Sequence, residues 1–179
     1  MADVAIESTL ATMVVGPHAL TTRLADAGRL DGSRAIWMTS GGAYTTGLHL
    51  DDLQFRKGYS GVNAYARAKR AQIDMVAEWA RRRPELSSYA VHPGWTDTPG
   101  VKDSLPTFHR VVGPLLRTPT EGVDTALWLA GVEPARPAGG LWFDRRPRGV
   151  VRVPGTGTSP EDRVRLWETV SALTSARAR

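Results

Sequence analysis

Three short apolar runs, "RAIWMTS" (34–40), "SSYAVHP" (87–93) and "GGLWFD" (139–144), alternate with longer stretches whose apolar residues recur at helical spacing. Each run has the length of a strand, and each needs cover on both faces. The alternation therefore predicts α/β layering over a parallel sheet, with helices as the crossovers. Helices are expected over residues 3–27, 62–83, 118–131 and 159–179. Gly16-Pro17 should kink or break the first. Thr120 is the expected cap of the third, with Glu121 and Asp124 suiting its first turn, and Ser159 with Pro160 starts the fourth. Residues 27–33 read as a turn. The Gly-rich connection 41–61 is long enough to be a functional loop, and 94–110 reads as an irregular loop with a short helical piece. At 179 residues the chain suits a single domain over 1–179.

Composition narrows the function classes. There is no cysteine, which excludes disulfides, thiolate catalysis and Cys-based zinc sites. The formal charge is +5, but arginines and carboxylates interleave. The densest basic stretch, "DRRPRGVVR" (144–152), has no aromatic residues for base stacking, so it reads as a solvated loop and no nucleic-acid partner is expected. "MADVAIESTLATMVVG" lacks a basic lead-in, and no apolar run approaches the ~20 residues of a membrane span. A soluble, cytoplasmic protein is expected. His18, His49, His92 and His109 match no metal-ligand spacing, so no metal is expected, and Asp97 reads as a turn former. "VPGTGTSPED" (153–162) has glycines ahead of a helix but lacks the third glycine of a dinucleotide fingerprint. A plain turn into a capped helix is the expectation.

The second helix carries the chemistry. "NAYARAKRAQIDMVAEWA" puts Tyr65 one turn before Lys69, one of three lysines against twenty arginines. Tyr65, Ala68, Lys69, Gln72, Ile73, Val76 and Ala80 share one face and should point inward, with Arg67, Arg70, Asp74, Glu78 and Arg81 opposite. A free phenol titrates near pH 10, and bringing it to about 7 requires roughly 4 kcal/mol of differential stabilisation. A neighbouring ammonium in a partly buried site supplies that field, and arginine's flat fork would not. The phenol could then exchange protons with a substrate oxygen. Ser40 ends the first expected strand and "HPGWTDTPG" (92–100) the second, both at the carboxyl edge where open α/β sheets bind ligands.

Ser40, Tyr65-x-x-x-Lys69 and Pro93-Gly94-x-x-x-Thr98, in that order, resemble the second half of a short-chain dehydrogenase/reductase. "MTSGGAYTTGL", "AYARAKRAQ", "HPGWTDTPGV" and "FDRRP" are similar to the family-member-12 subgroup, related to the retinol dehydrogenases. The resemblance implies that Tyr65 is the general acid/base and that Lys69 lowers its proton affinity and binds the nicotinamide ribose. Ser40 would hold the substrate oxygen. The backbone at Pro93, Gly94 and Thr96, with the Thr98 hydroxyl, would position the carboxamide of NAD or NADP. It also implies homo-oligomers assembled through the Tyr–Lys helix and its neighbour. A hydrophobic alcohol or carbonyl substrate is expected from Tyr44, Leu48, Trp95, Val101, Leu105 and Phe108 in the flanking loops.

Two departures from the family pattern stand out. Where the family carries an asparagine that completes a proton relay, this chain has Met13. The resemblance also implies a Rossmann-like sheet whose N-terminal strands and Gly-rich cofactor turn are missing here. Two functions are therefore weighed: an NAD(P)-dependent oxidoreductase, or a non-catalytic remnant or interaction module lacking cofactor binding.

Overall fold

A computed structural model describes residues 5–100, 110, 116–133 and 135–176. The first helical segment, α1, joins an α-helical start at Ser8–Leu10, a π turn at Ala11–Val15 and an α-helix at Gly16–Asp26. Glu7 caps it, its carboxylate accepting from the backbone N–H groups of Thr9 and Leu10. Pro17 does not break this helix. It has no N–H, so the Met13 carbonyl four residues earlier loses its helical donor. Two adjustments absorb the loss. The Gly16 N–H reaches back five residues to the Ala11 carbonyl, widening the turn. The Gln72 side-chain amide then donates to the Met13 carbonyl at 2.7 Å.

Strand β1 (Arg34–Met38) leads through a 3-10 turn (Gly41–Thr45) and a second one (Leu50–Asp52) to α2 (Gly61–Arg82). Strand β2 (Ser87–Val91), α3 (Pro119–Gly131), β3 (Leu141–Phe143), β4 (Arg146–Arg148) and α4 (Pro160–Ala176) follow. The sheet order is β1-β2-β3-β4. β1 and β2 run parallel in register from Arg34↔Ser87 to Met38↔Val91, β2 and β3 are parallel, and β4 turns back antiparallel on β3. The expected α/β class therefore holds, as a partial Rossmann-like sheet.

Period-2 alternation sorts the strand residues onto two faces. Trp37, Ala90 and Leu141 pack with Ile73, Val76 and Trp79 of α2, whereas Tyr89, Val91 and Trp142 pack with Leu129 of α3. Beyond α2, a further core joins Ala68, Ala71 and Met75 to Leu10, Val14 and Val15 of α1 and to Leu166 and Val170 of α4. α4 packs across both α1 and α2.

Burial on several sides of α2 corrects its expected polar face. Arg70, Asp74 and Glu78 are all buried. Arg70 Nε donates to Asp74 at 3.0 Å and Nη2 to Thr158 Oγ1 at 2.8 Å, while Thr158 also donates to Asp74. This pairing ties the segment before α4 to the centre of the molecule. Such groups tolerate burial because each charge has a partner. Glu78 is held by Arg81 and Arg82.

Three boundaries also differ from expectation. Thr118, not Thr120, caps α3, in a reciprocal capping box with Glu121. Part of the expected basic loop 144–152 is strand β4. Its turn holds Asp144 (φ 52°) and Arg145 (φ 55°) in left-handed conformations, a cost of roughly 1–2 kcal/mol per non-glycine residue. The segment 153–162 is the expected plain turn, closed by the Thr156 N–H on the Val153 carbonyl and followed by Ser159, which accepts from the Asp162 N–H.

His18 packs between Trp79 and Trp167, with Nε2 3.1 Å from Ser171 Oγ. Burial pushes its pKa down from 6.5 to about 4. The folded protein holds this ring neutral, so the associated stability is complete above pH 6.5 and is lost as pH falls toward about 4. Urea denaturation should show a loss on the order of 3 kcal/mol across that window, and His18→Gln should flatten the slope. For the π turn, Gln72→Leu should cost ~1–3 kcal/mol by leaving the Met13 carbonyl unsatisfied. Adding Pro17→Ala restores the backbone donor, so the double variant should recover part of that loss.

Candidate functional site

The carboxyl end of β1 is stitched to α2 at one residue of the helix. Thr39 Oγ1 donates to the Lys69 carbonyl at 2.8 Å, and Lys69 Nζ donates to the Met38 carbonyl at 2.7 Å. Lys69 is only 9% exposed, so the expected inward position holds. Burial pushes its pKa down from 10.5 to about 8. Keeping this amine charged at neutral pH therefore costs on the order of 3 kcal/mol. Lys69 Nζ lies 5.5 Å from the centre of the Tyr65 ring.

Tyr65 departs from the inward expectation and stands at the rim, 39% exposed. It sits at the start of α2, where the helix emerges from under the second core. Ser40, following Thr39, turns the chain into the 3-10 segment, and its Oγ accepts from the Gly42 N–H at 3.3 Å. That segment packs on α2. A Cβ built on Gly42 would lie 3.7 Å from Ala66 Cβ and 3.9 Å from Ser40 Oγ. The serine turn and the Tyr–Lys turn of the helix are thus in contact.

The end of β2 supplies the third part. Gly94 has φ +83°, and a Cβ there would meet the Arg117 side chain at 2.8 Å. The Gly94 N–H donates to His92 Nδ1 at 3.1 Å. The Thr96 side chain turns away into α3, where a Cβ on Gly122 would lie 2.6 Å from Thr96 Oγ1. The Asp97 N–H donates to the Arg117 carbonyl and the Arg117 N–H to the Trp95 carbonyl, both at 2.8 Å, a parallel bridge that joins this segment to the start of α3.

Of the expected pocket residues, Trp95 is exposed, Leu48 packs into the core between α1, α2 and α4, and Tyr44 lies edge-on to His92. Val101, Leu105, Phe108 and His109 lie outside the described residues. A cleft of about 420 Å³ is lined by Arg117, Thr120, Glu121, Asp124 and Asp144. It abuts the Pro93–Thr98 turn rather than Tyr65 and Lys69. No group of metal-ligating side chains occurs among the described residues. None of the described helices is long and apolar enough to cross a membrane.

The residues fit the nicotinamide-ribose end of a dinucleotide. Lys69 has three N–H donors, and one of them is engaged by Met38. A buried ammonium with uncommitted donors suits a vicinal diol. Thr39, Gln72, His92 and Arg117 were missing from the sequence-based site. Only His92 carried a signal, its place directly before Pro93-Gly94.

No protein-family model matches the chain. It is 36% identical over 173 residues to dehydrogenase/reductase SDR family member 12 of Bos taurus, covering 94% of this chain and 55% of the relative. It is 30% identical over 154 residues to human retinol dehydrogenase 12, covering 81% of this chain and 46% of the relative. The chain thus spans about half the length of these relatives. A crystal structure of an uncharacterised protein from Mycobacterium paratuberculosis superposes with a TM-score of 0.70 at 24% identity. That match covers 96% of this chain and 60% of the other, and it shows a shared fold. The chain is thus similar to short-chain dehydrogenases/reductases, dehydrogenase/reductase SDR family member 12 among them.

Gly122→Ala would ordinarily favour a helix by up to ~1 kcal/mol. Here the new methyl meets the short, stiff side chain of Thr96. The substitution should instead destabilise by ~1–3 kcal/mol in thermal unfolding, and Thr96→Ser should relieve part of the loss.

Proposed function

We propose that this chain carries the proton-transfer centre of a nicotinamide-dependent oxidoreductase that interconverts an alcohol and a carbonyl. The observation that carries this reading is the buried Lys69 ammonium, fixed between the Met38 carbonyl and the Tyr65 ring at the strand end bearing Ser40. Lysines whose pKa is pushed down by burial cluster at functional sites.

Lys69 donates its remaining N–H groups to the ribose hydroxyls of NAD or NADP. It also stabilises negative charge as it develops on the Tyr65 oxygen. Tyr65 gives its proton to the substrate oxygen in reduction and takes it back in oxidation. Ser40 donates a hydrogen bond to that same oxygen and so fixes the reacting carbon. The backbone at Pro93, Gly94 and Thr96, with the Thr98 hydroxyl, orients the carboxamide. When bound, the nicotinamide exchanges a hydride with the substrate carbon. The exposed Trp95 beside this turn, and the similarity to a protein named for retinol, favour a hydrophobic substrate.

Tyr65→Phe should lower kcat by ~10²–10⁴-fold while cofactor affinity stays within a few-fold. Unchanged turnover in that variant would refute the assigned proton donor. Lys69 is charged below about pH 8 and neutral above it. NADH or NADPH titrations should therefore weaken as pH rises through about 8, and Lys69→Met should bind weakly at every pH.

A further inference from the structure

Arg117, Phe143, Asp144 and His92 come from segments that sequence spacing does not connect, and they meet at one turn. The Arg117 backbone pairs with the turn on both sides, accepting from the Asp97 N–H and donating to the Trp95 carbonyl. Its side chain lies across Gly94 so closely that any Cβ there would collide with it. The guanidinium donates to both Asp144 oxygens, at 2.5 and 2.9 Å, and sits 4.7 Å from the centre of the Phe143 ring. Phe143 stacks on His92 at 4.9 Å. His92 accepts the Gly94 N–H on Nδ1, and a Cβ on Gly41 would lie 3.2 Å from His92 Nε2. His92 thus touches both the Gly94 turn and the glycine beside Ser40.

The β3–β4 turn gives a second, independent indication. A tight turn with two left-handed residues strongly favours Asn-Gly, Asp-Gly or Gly-Gly. Here it holds Asp144 and Arg145, whose side chains grip Arg117 and Asp124 respectively. Asp144 suits both the turn and the grip, whereas Arg145, where the turn favours glycine, suits only the grip.

We propose that Arg117 and Asp144 are positioning residues that, with Phe143 and His92, brace the Pro93–Thr98 turn in the shape that receives the nicotinamide end of the cofactor. This rests on the function proposed above. The brace acts through the turn backbone, without touching the reacting atoms. The Arg117–Asp144 pair also forms part of the wall of the neighbouring cleft, so the turn is supported from its open side.

Asp144→Gly separates the brace from the fold. Glycine adopts φ +52° without strain, so the hairpin persists while Arg117 loses its carboxylate. In this variant the melting temperature should stay within a few degrees of wild type. Amide exchange at Asp97 should accelerate about tenfold, and NADH or NADPH should bind about tenfold more weakly. Asp144→Glu, which keeps the charge, should recover part of both effects. Unaltered exchange at Asp97 overturns the brace, and faster exchange with unchanged cofactor affinity overturns its positioning role. A wild type that binds neither NADH nor NADPH refutes the proposed activity instead, and exchange at Asp97 still decides whether the pair holds the turn.

Discussion

The bond from Lys69 to the Met38 carbonyl is the hinge on which the arrangement depends. It fixes where α2 lies along β1, because a side chain reaching down from the helix meets a strand carbonyl at one register. Thr39 closes the same joint from the strand side. With that register set, Ser40 falls beside the first turn of α2 and Tyr65 comes to the rim. An arginine could not replace the lysine here, since its planar fork needs more room and a broader acceptor.

The surroundings of α2 explain how so costly a group is retained. Cores on two sides of the helix hold it in place, and the Arg70–Asp74 pair binds it to the segment leading into α4. Removing one member of such a buried pair would cost about 3–5 kcal/mol, comparable to much of a domain's net stability. The candidate site is therefore built on a helix anchored on two sides.

Much of the layering was legible from period and punctuation. The strands were found because Trp37, Tyr89 and Trp142 sit in short apolar runs, and α2 because its apolar residues recur every three or four positions. Burial of Arg70, Asp74 and Glu78 was not legible, since a charged helical face is read as solvent-facing unless its partners are known. Thr158, which hydrogen-bonds Arg70 and Asp74, and Arg163, which pairs with Asp74, lie far along the chain. β4 was hidden because "RPR" has no strand propensity and owes its pairing to the turn before it. For the candidate site, Ser40, Tyr65 and Lys69 were singled out from local spacing and chain order. The contacts of residues 92, 117 and 143–144 depend on tertiary placement.

The two margins of the sheet are unlike in a way that gives it a direction. On one side the last strand is three residues long, with Pro147 at its centre and arginines flanking it, an arrangement that repels a further strand. On the other side, the five residues Arg34–Met38 are partnered only by β2 among the described strands. Any extension of the sheet, whether from a longer form of this polypeptide or from a separate molecule, can grow only outward from Arg34–Met38. Such growth would press directly against the strand that leads into Ser40.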